Sequence, residues 1–215
     1  MDDFTPKAIS PLPAPARRVH LPSEGMAQAD MVEAGIPARY WRIGFNPLLS
    51  PVGRALQAWW DDVQSAVEAR RDLVVVAEDL DNDSTAFAAI FRRLCIAEGL
   101  EWPPGAELWP PRWVDAATID RDFKAREAAE EAGLLAVAGV GMTYLTPEPA
   151  LGVLRTLAWQ RYQAGKITLW LVPPPNQKGW RVANGLIEHL GARAHVCGTL
   201  PTLQAVGQQT GSEVV

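Results

Sequence analysis

The chain has 215 residues, 48% of them hydrophobic, and a formal net charge of -5. Such length and apolar content support one substantial core, with one domain plus tails as the expected organisation. The acidic balance argues against a dominant nucleic-acid surface, which needs a basic patch, so any DNA contact is expected to be weak or indirect.

The first ten residues lack the basic-then-apolar order of a secretion signal. Residues 1–24 hold five prolines (Pro6, Pro11, Pro13, Pro15, Pro22) and little periodicity, which predicts a disordered, extended tail of the kind often used as a tether. Met26 to Ala34 suits a short helix, stopped by Gly35 and Pro37. After the Asn46-Pro47 turn, Val52, Leu56, Trp59, Trp60, Val63 and Val67 keep helical spacing. That pattern predicts one helix packed on the sheet just before the first strand.

Leu73, Val74, Val75 and Val76 read as a buried parallel strand. A polar loop follows, and then a helical pattern at Phe87, Ile90, Phe91, Leu94 and Cys95. Strand, short loop and helix are the setting of the phosphate-binding loop GxxxxGK[ST], where glycines let backbone N–H groups wrap phosphate and a lysine adds positive charge. Here Asp83 holds the lysine position and Ala77 and Asn82 the glycine positions, while Ser84 keeps the hydroxyl. Glu78, Asp79 and Asp81 add negative charge, so the loop is expected to repel a triphosphate at neutral pH. The spacing of Asp79, Asp81 and Asp83 also begins like a calcium loop. It then fails, with Ser84 at the glycine of the sharp turn and Ile90 at the closing glutamate. Asp81, Asp83, Ser84 and Thr85 are better read as residues capping a helix start, and no metal site is expected.

Trp102 to Pro111 is a proline-rich loop and Arg112 to Asp115 a candidate second strand. The charged Ala117 to Ala132 reads as one helix, and Leu134 to Ala138 as a third strand ending at Gly139 and Gly141. Pro147 to Ala164 follows as a helix with Leu151, Leu154, Leu157, Ala158 and Tyr162 on one face. Ile167 to Val172 is a fourth strand, halted by Pro173, Pro174 and Pro175; Trp180 to Leu190 is a helix, and Ala194 to Cys197 a fifth strand. Residues 204–215 read as a flexible tail. Alternating strands and helices predict an α/β domain over residues 25–203, with a parallel sheet covered on both faces. Cys95 and Cys197 belong to no CxxC or Cys/His cluster, and no apolar run reaches the roughly 20 residues that cross a bilayer. A reducing cytoplasmic setting without membrane contact is therefore expected.

Two short motifs sharpen this frame. AGIPARYW (Ala34 to Trp41) looks like an "aGIPxRY" element ahead of the core, and Arg161-Tyr162 followed by AGKITLWL looks like an "RY" before the fourth core strand. With the order of parts, from Met31 to Leu200, they resemble the AAA+ nucleotide hydrolases, and more narrowly the DnaC-type replicative helicase loaders with their IstB-type transposase-helper relatives. The resemblance implies a three-layer P-loop NTPase core (AAA+/RecA-like) with a five-stranded parallel sheet. In it the Leu73 strand lies centrally, between the strands at Ala194 and Ile167. No separate lid domain is expected, since fewer than 20 polar, glycine-rich residues follow Cys197.

The departures from that family are concentrated at its chemistry. Beside Asp83, the resemblance places Ala138 and Gly139 where paired carboxylates would end the third strand, Pro173 at the polar sensor, and His189 at the arginine contributed by a neighbouring subunit. The final arginine of the family's terminal pattern has no counterpart near Gly198 to Thr202. Phosphoryl transfer depends on positioned positive charge, so the expectation is a pseudo-ATPase without nucleotide cofactor. Its role would be that of an adaptor or regulator in DNA replication, with a replicative helicase or related AAA+ ATPase as partner. Two alternatives stay open: an atypical nucleotide-dependent ATPase helping helicase loading or transposition, and a self-assembling, homo-oligomeric structural subunit. His20, His189 and His195 lack a nucleophile or ligand partner in sequence, and Arg70, Arg71, Arg92 and Arg93 flank helix patterns as solvated faces do. Candidate partner contacts are Tyr40 and Trp41 behind the proline-rich tail, and Trp102, Trp109 and Trp113 as aromatic anchors; the competing account of that second group is a loop packed on its own domain.

Overall fold

Five apolar runs become five parallel strands: β1 (Asp72–Val76), β2 (Arg112–Asp115), β3 (Leu135–Ala138), β4 (Thr168–Val172) and β5 (Ala194–Cys197). They assemble in the order β2-β3-β4-β1-β5, and Val74 of β1 lies in register with Trp170 on one side and Val196 on the other. The first strand therefore sits between the fourth and the fifth, as expected, with β4 at the middle of the sheet. This computed structural model describes residues 26, 28–42, 46, 50–97, 110–141, 147–177 and 179–200. Both expected tails, the question of a lid and the residues Trp102 and Trp109 lie outside that set.

Side chains along β1 alternate between two layers, which fixes the three-layer architecture. Leu73 and Val75 join Ala136, Leu169 and Leu171 under α1 (Gln28–Glu33), α2 (Pro51–Asp61), α3 (Val63–Glu68) and α4 (Leu80–Cys95). Val74 and Val76 join Leu135, Val137, Trp170 and Val172 under α5 (Ala116–Arg121), α6 (Phe123–Glu131), α7 (Pro147–Gln163) and α8 (Trp180–Leu190). The four apolar β1 side chains are fully buried, at roughly 1.5–3 kcal/mol each, so this strand binds both layers to the sheet.

Two expected helices are each divided by an aspartate. The segment before β1 breaks at Asp62, whose carboxylate accepts the Ser65 hydroxyl hydrogen bond at 2.7 Å. The charged segment after β2 breaks at Asp122, whose carboxylate accepts from the amides of Lys124 and Ala125 and so starts α6. The helix after β1 differs more. It begins at Leu80, seven residues ahead of the first residue of its apolar pattern, Phe87.

Leu154, Leu157 and Ala158 bury the expected face of α7, and the RY element departs from it at its end. Tyr162 is 43% exposed, whereas Arg161 is 1% exposed. The Arg161 guanidinium donates to the carbonyls of Ala129, Ala132, Gly133 and Ile167 and to the Thr168 hydroxyl, at 2.6–3.2 Å. It therefore closes the C-terminal end of α6 onto the start of β4, where Lys166 also donates to the Glu130 and Glu131 carbonyls. Nearby, the buried Asp72 carboxylate accepts from the Thr168 amide and the Trp170 indole N–H at 2.9 and 3.0 Å. Burial raises the Asp72 carboxyl to about 6, against the lowering pull of these donors and of Arg161. Burial likewise lowers Arg161 to about 10. A basic side chain thus serves here as an internal tie.

Candidate functional site

The connection from β1 to α4 consists of Ala77, Glu78 and Asp79, and the amides of all three are bonded within the domain. The Ala77 N–H donates to Val172 O at 3.0 Å, extending the pairing with β4, and the Ala77 methyl lies in the core. Asp79 is the N-cap of α4: its carboxylate accepts from the amides of Asp81 and Asn82 at 3.0 and 3.4 Å and from the Asn82 side chain at 2.7 Å. Ser84 and Thr85 donate their hydroxyls to the Asp81 carbonyl. The capping residue is therefore Asp79, not the later group expected from the sequence.

Asp83 is the decisive residue of the loop. It is fully buried, and one carboxylate oxygen accepts from the backbone N–H groups of Glu78 and Asp79 at 2.8 and 3.0 Å. The other accepts from the Ser50 hydroxyl at 2.8 Å. Ser50 in turn caps α2, accepting from the Gly53 amide at 2.9 Å, with Pro51 opening the helix. The carboxylate expected to repel a ligand from an open loop instead occupies the loop itself, and the helix starting at Leu80 takes up the residues that would have formed the wider turn.

A cleft of about 350 Å³ lies at the C-terminal ends of the strands, lined by Arg39, Tyr40, Leu80, Asp81, Ser84, Thr85, Asp115, Ala138, Gly139 and Leu171. In an open parallel sheet this is where ligands bind. Ala138 and Gly139 do reach it, and Ser84 lines it with a hydroxyl tied to Asp81. Asp115, which sequence reasoning passed over, stands in register with Ala138 and contributes the neighbouring carboxylate. That carboxylate caps α5 by accepting from the Ala117 amide at 2.9 Å. A Cβ on Gly139, whose φ is +72°, would lie 3.0 Å from an Asp115 carboxylate oxygen. Asp115 was legible as the last residue of a strand; Ser50 was legible as a Ser-Pro helix start, but not as a partner of Asp83.

Pro173 is buried just past β4 and does not line the cleft. His189 lies near the C-terminal end of α8, at the end of the sheet where strands begin, and so is not brought to the loop. Burial, then the charges of Arg193 and Arg155, lower its pKa. Two of the candidate partner contacts are corrected. Trp113 is 9% exposed and packs against Tyr40, Phe87 and Phe91 with ring centroids 5.3–5.8 Å apart. Tyr40 is buried in the same cluster, because the Ala34 to Trp41 motif clasps the domain: Ala34 O accepts from the Trp113 amide, and Tyr40 O from the Arg92 guanidinium. Trp41 is half-buried and donates its indole N–H to Ile36 O at 2.7 Å. Arg39 and Tyr40 both line the cleft, the Arg39 guanidinium 4.7 Å from the Tyr40 ring centroid, so this motif brings a cation to it.

Sheet order, three layers and a strand–loop–helix unit beneath the cleft define an α/β fold of the P-loop NTPase type. The crystal structure of the DnaC helicase loader is similar, with a TM-score of 0.50 at 13% identity over 75% of this chain and 98% of that one. No protein-family model matches the sequence, and no curated protein matches it. Among the described residues, no helix is long and apolar enough to cross a membrane.

Proposed function

We propose that this chain is a catalytically silent, helicase-loader-like protein that works in DNA replication by binding a protein partner, a replicative helicase or a related ATPase. The observation that carries the proposal is the Asp83 carboxylate seated on the loop amides. A nucleotide phosphate would have to displace the Asp83 carboxylate from the two loop amides, so the bonds it gained there would be the ones that buried carboxylate lost. Among the described residues lining the cleft there is no lysine to offset that loss, and the cation present is Arg39. Asp81 and Asp115 add negative charge to the cleft, and Ala138 and Gly139 bring no carboxylate to hold a metal-bound water. The similarity to a helicase loader supports the partner class at the level of fold.

Titration calorimetry with ATP and magnesium is expected to give no heat of binding; micromolar affinity would instead favour the atypical ATPase, a reading that the cleft supports. Binding to the purified replicative helicase of the same host, compared between the full chain and a form lacking residues 1–34, tests the adaptor role. No complex with either form would remove it.

A further inference from the structure

The geometry points to Asp83 as a permanent internal ligand of the loop after β1 and, through Ser50, as a latch that fixes the first turn of α2 to that loop. Three donors converge on one buried carboxylate: the amides of Glu78 and Asp79 at the end of β1, and the hydroxyl of Ser50, 33 residues away in sequence. Backbone N–H groups at the start of a helix form an oxyanion seat. Here that seat is filled by the chain's own side chain, held in place by the helix that bears it.

A loop that reports on a ligand needs an empty and a filled state, and the ligand shifts their balance only through its differential affinity. A covalently attached occupant is present at high effective concentration, so the loop rests in the filled state. Ser50 then carries that state outward. Its oxygen accepts from Gly53 while its hydrogen reaches Asp83, so the N-cap of α2 and the occupant of the loop share one atom. The first turn of α2 is thereby held against the core whether or not nucleotide is present. This inference rests on the reading that nucleotide does not enter the loop, and it adds that the holding function of a bound phosphate has passed to a carboxylate.

Amide hydrogen exchange on the full-length protein tests it, with Asp83→Ala and Ser50→Asp as variants. The second keeps an acceptor for the Gly53 amide but sets two carboxylates against each other, so it opens the latch without removing the cap. Asp83→Ala is expected to speed exchange about tenfold at Glu78 and Asp79, the loss of one hydrogen bond each. Both variants are expected to speed it at Gly53 and Arg54, with Val74 and Val75 unchanged as the sign of an intact sheet. If Asp83→Ala fails to fold, Ser50→Asp carries the same readout at Gly53 and Arg54. Unchanged exchange at those two residues in every folded variant overturns the latch and leaves the silent-adaptor reading untouched. Slower exchange at Glu78 and Asp79 when ATP is added to the wild type overturns the closed loop, and with it both readings.

Discussion

Replacing Arg161 with alanine measures what the RY element does. The guanidinium supplies the hydrogen bonds for four backbone carbonyls and one hydroxyl in a region it shields almost fully from water. Its removal leaves those acceptors unpaired and strips the buried Asp72 of a nearby cation. Breaking a buried charged network by removing one partner costs about 3–5 kcal/mol. Against a total stability of about 5–15 kcal/mol, that is a large fraction. For a domain of this size the melting midpoint is expected to fall by roughly 6 to 20 °C. Arg161→Lys keeps the charge but has three donors and no planar fork, so it should fall between wild type and alanine. Differential scanning calorimetry of the three proteins is the assay. A midpoint for Arg161→Ala within about 2 °C of wild type would refute the assignment of this residue as the tie between α6 and β4.

Trp113→Ala removes the ring at the centre of the Tyr40, Phe87 and Phe91 cluster and is expected to cost about 3–5 kcal/mol in urea unfolding; a loss under about 1 kcal/mol would return Trp113 to the surface. Because the Asp72 carboxyl is raised from 3.8 to about 6 in the fold, the native chain holds a proton that the unfolded chain has released. This stabilisation is complete at pH values below the unfolded value and is lost as pH rises through about 6, so between roughly pH 4.5 and 7.5 the wild type should lose about 2 kcal/mol relative to Asp72→Asn. Equal pH responses in the two proteins would contradict the raised carboxyl. Asp83→Lys is expected to restore no ATP hydrolysis in a steady-state phosphate-release assay, since missing catalytic groups act as a unit; measurable turnover would show that the lysine alone had been lacking.

The sheet was legible because its signals are local. A run such as Leu73 to Val76 suits a strand buried on both faces, and helices such as α2 and α8 announce themselves by period. What hydropathy could not show is which member of a polar-apolar pair turns inward. Arg161 enters the core because five acceptors wait there, while the more apolar Tyr162 stays at the surface. The same holds for the loop. Asp83 was legible as a misplaced charge, but one of its three donors is Ser50, and a bond between residues 33 apart leaves no periodic trace. Trp113 looked like an anchor because it closes a proline-rich stretch; the strand pairing of β2 with β3 turns its ring toward α4 instead.

The backbone after β3 also bears on which sequences are within mutational reach of this one. A carboxylate introduced at position 139 would meet a left-handed φ and the charge of Asp115 in the same step. Two residues on, a Cβ at Gly141 would lie 2.2 Å from the Gly179 carbonyl oxygen. A carboxylate at position 139 would thus arrive with a strained backbone and a repelling neighbour at once, whereas position 138 lies in regular strand and carries no such conformational barrier. Whatever selection asks of this chain next, the cheaper routes run through its outer surfaces.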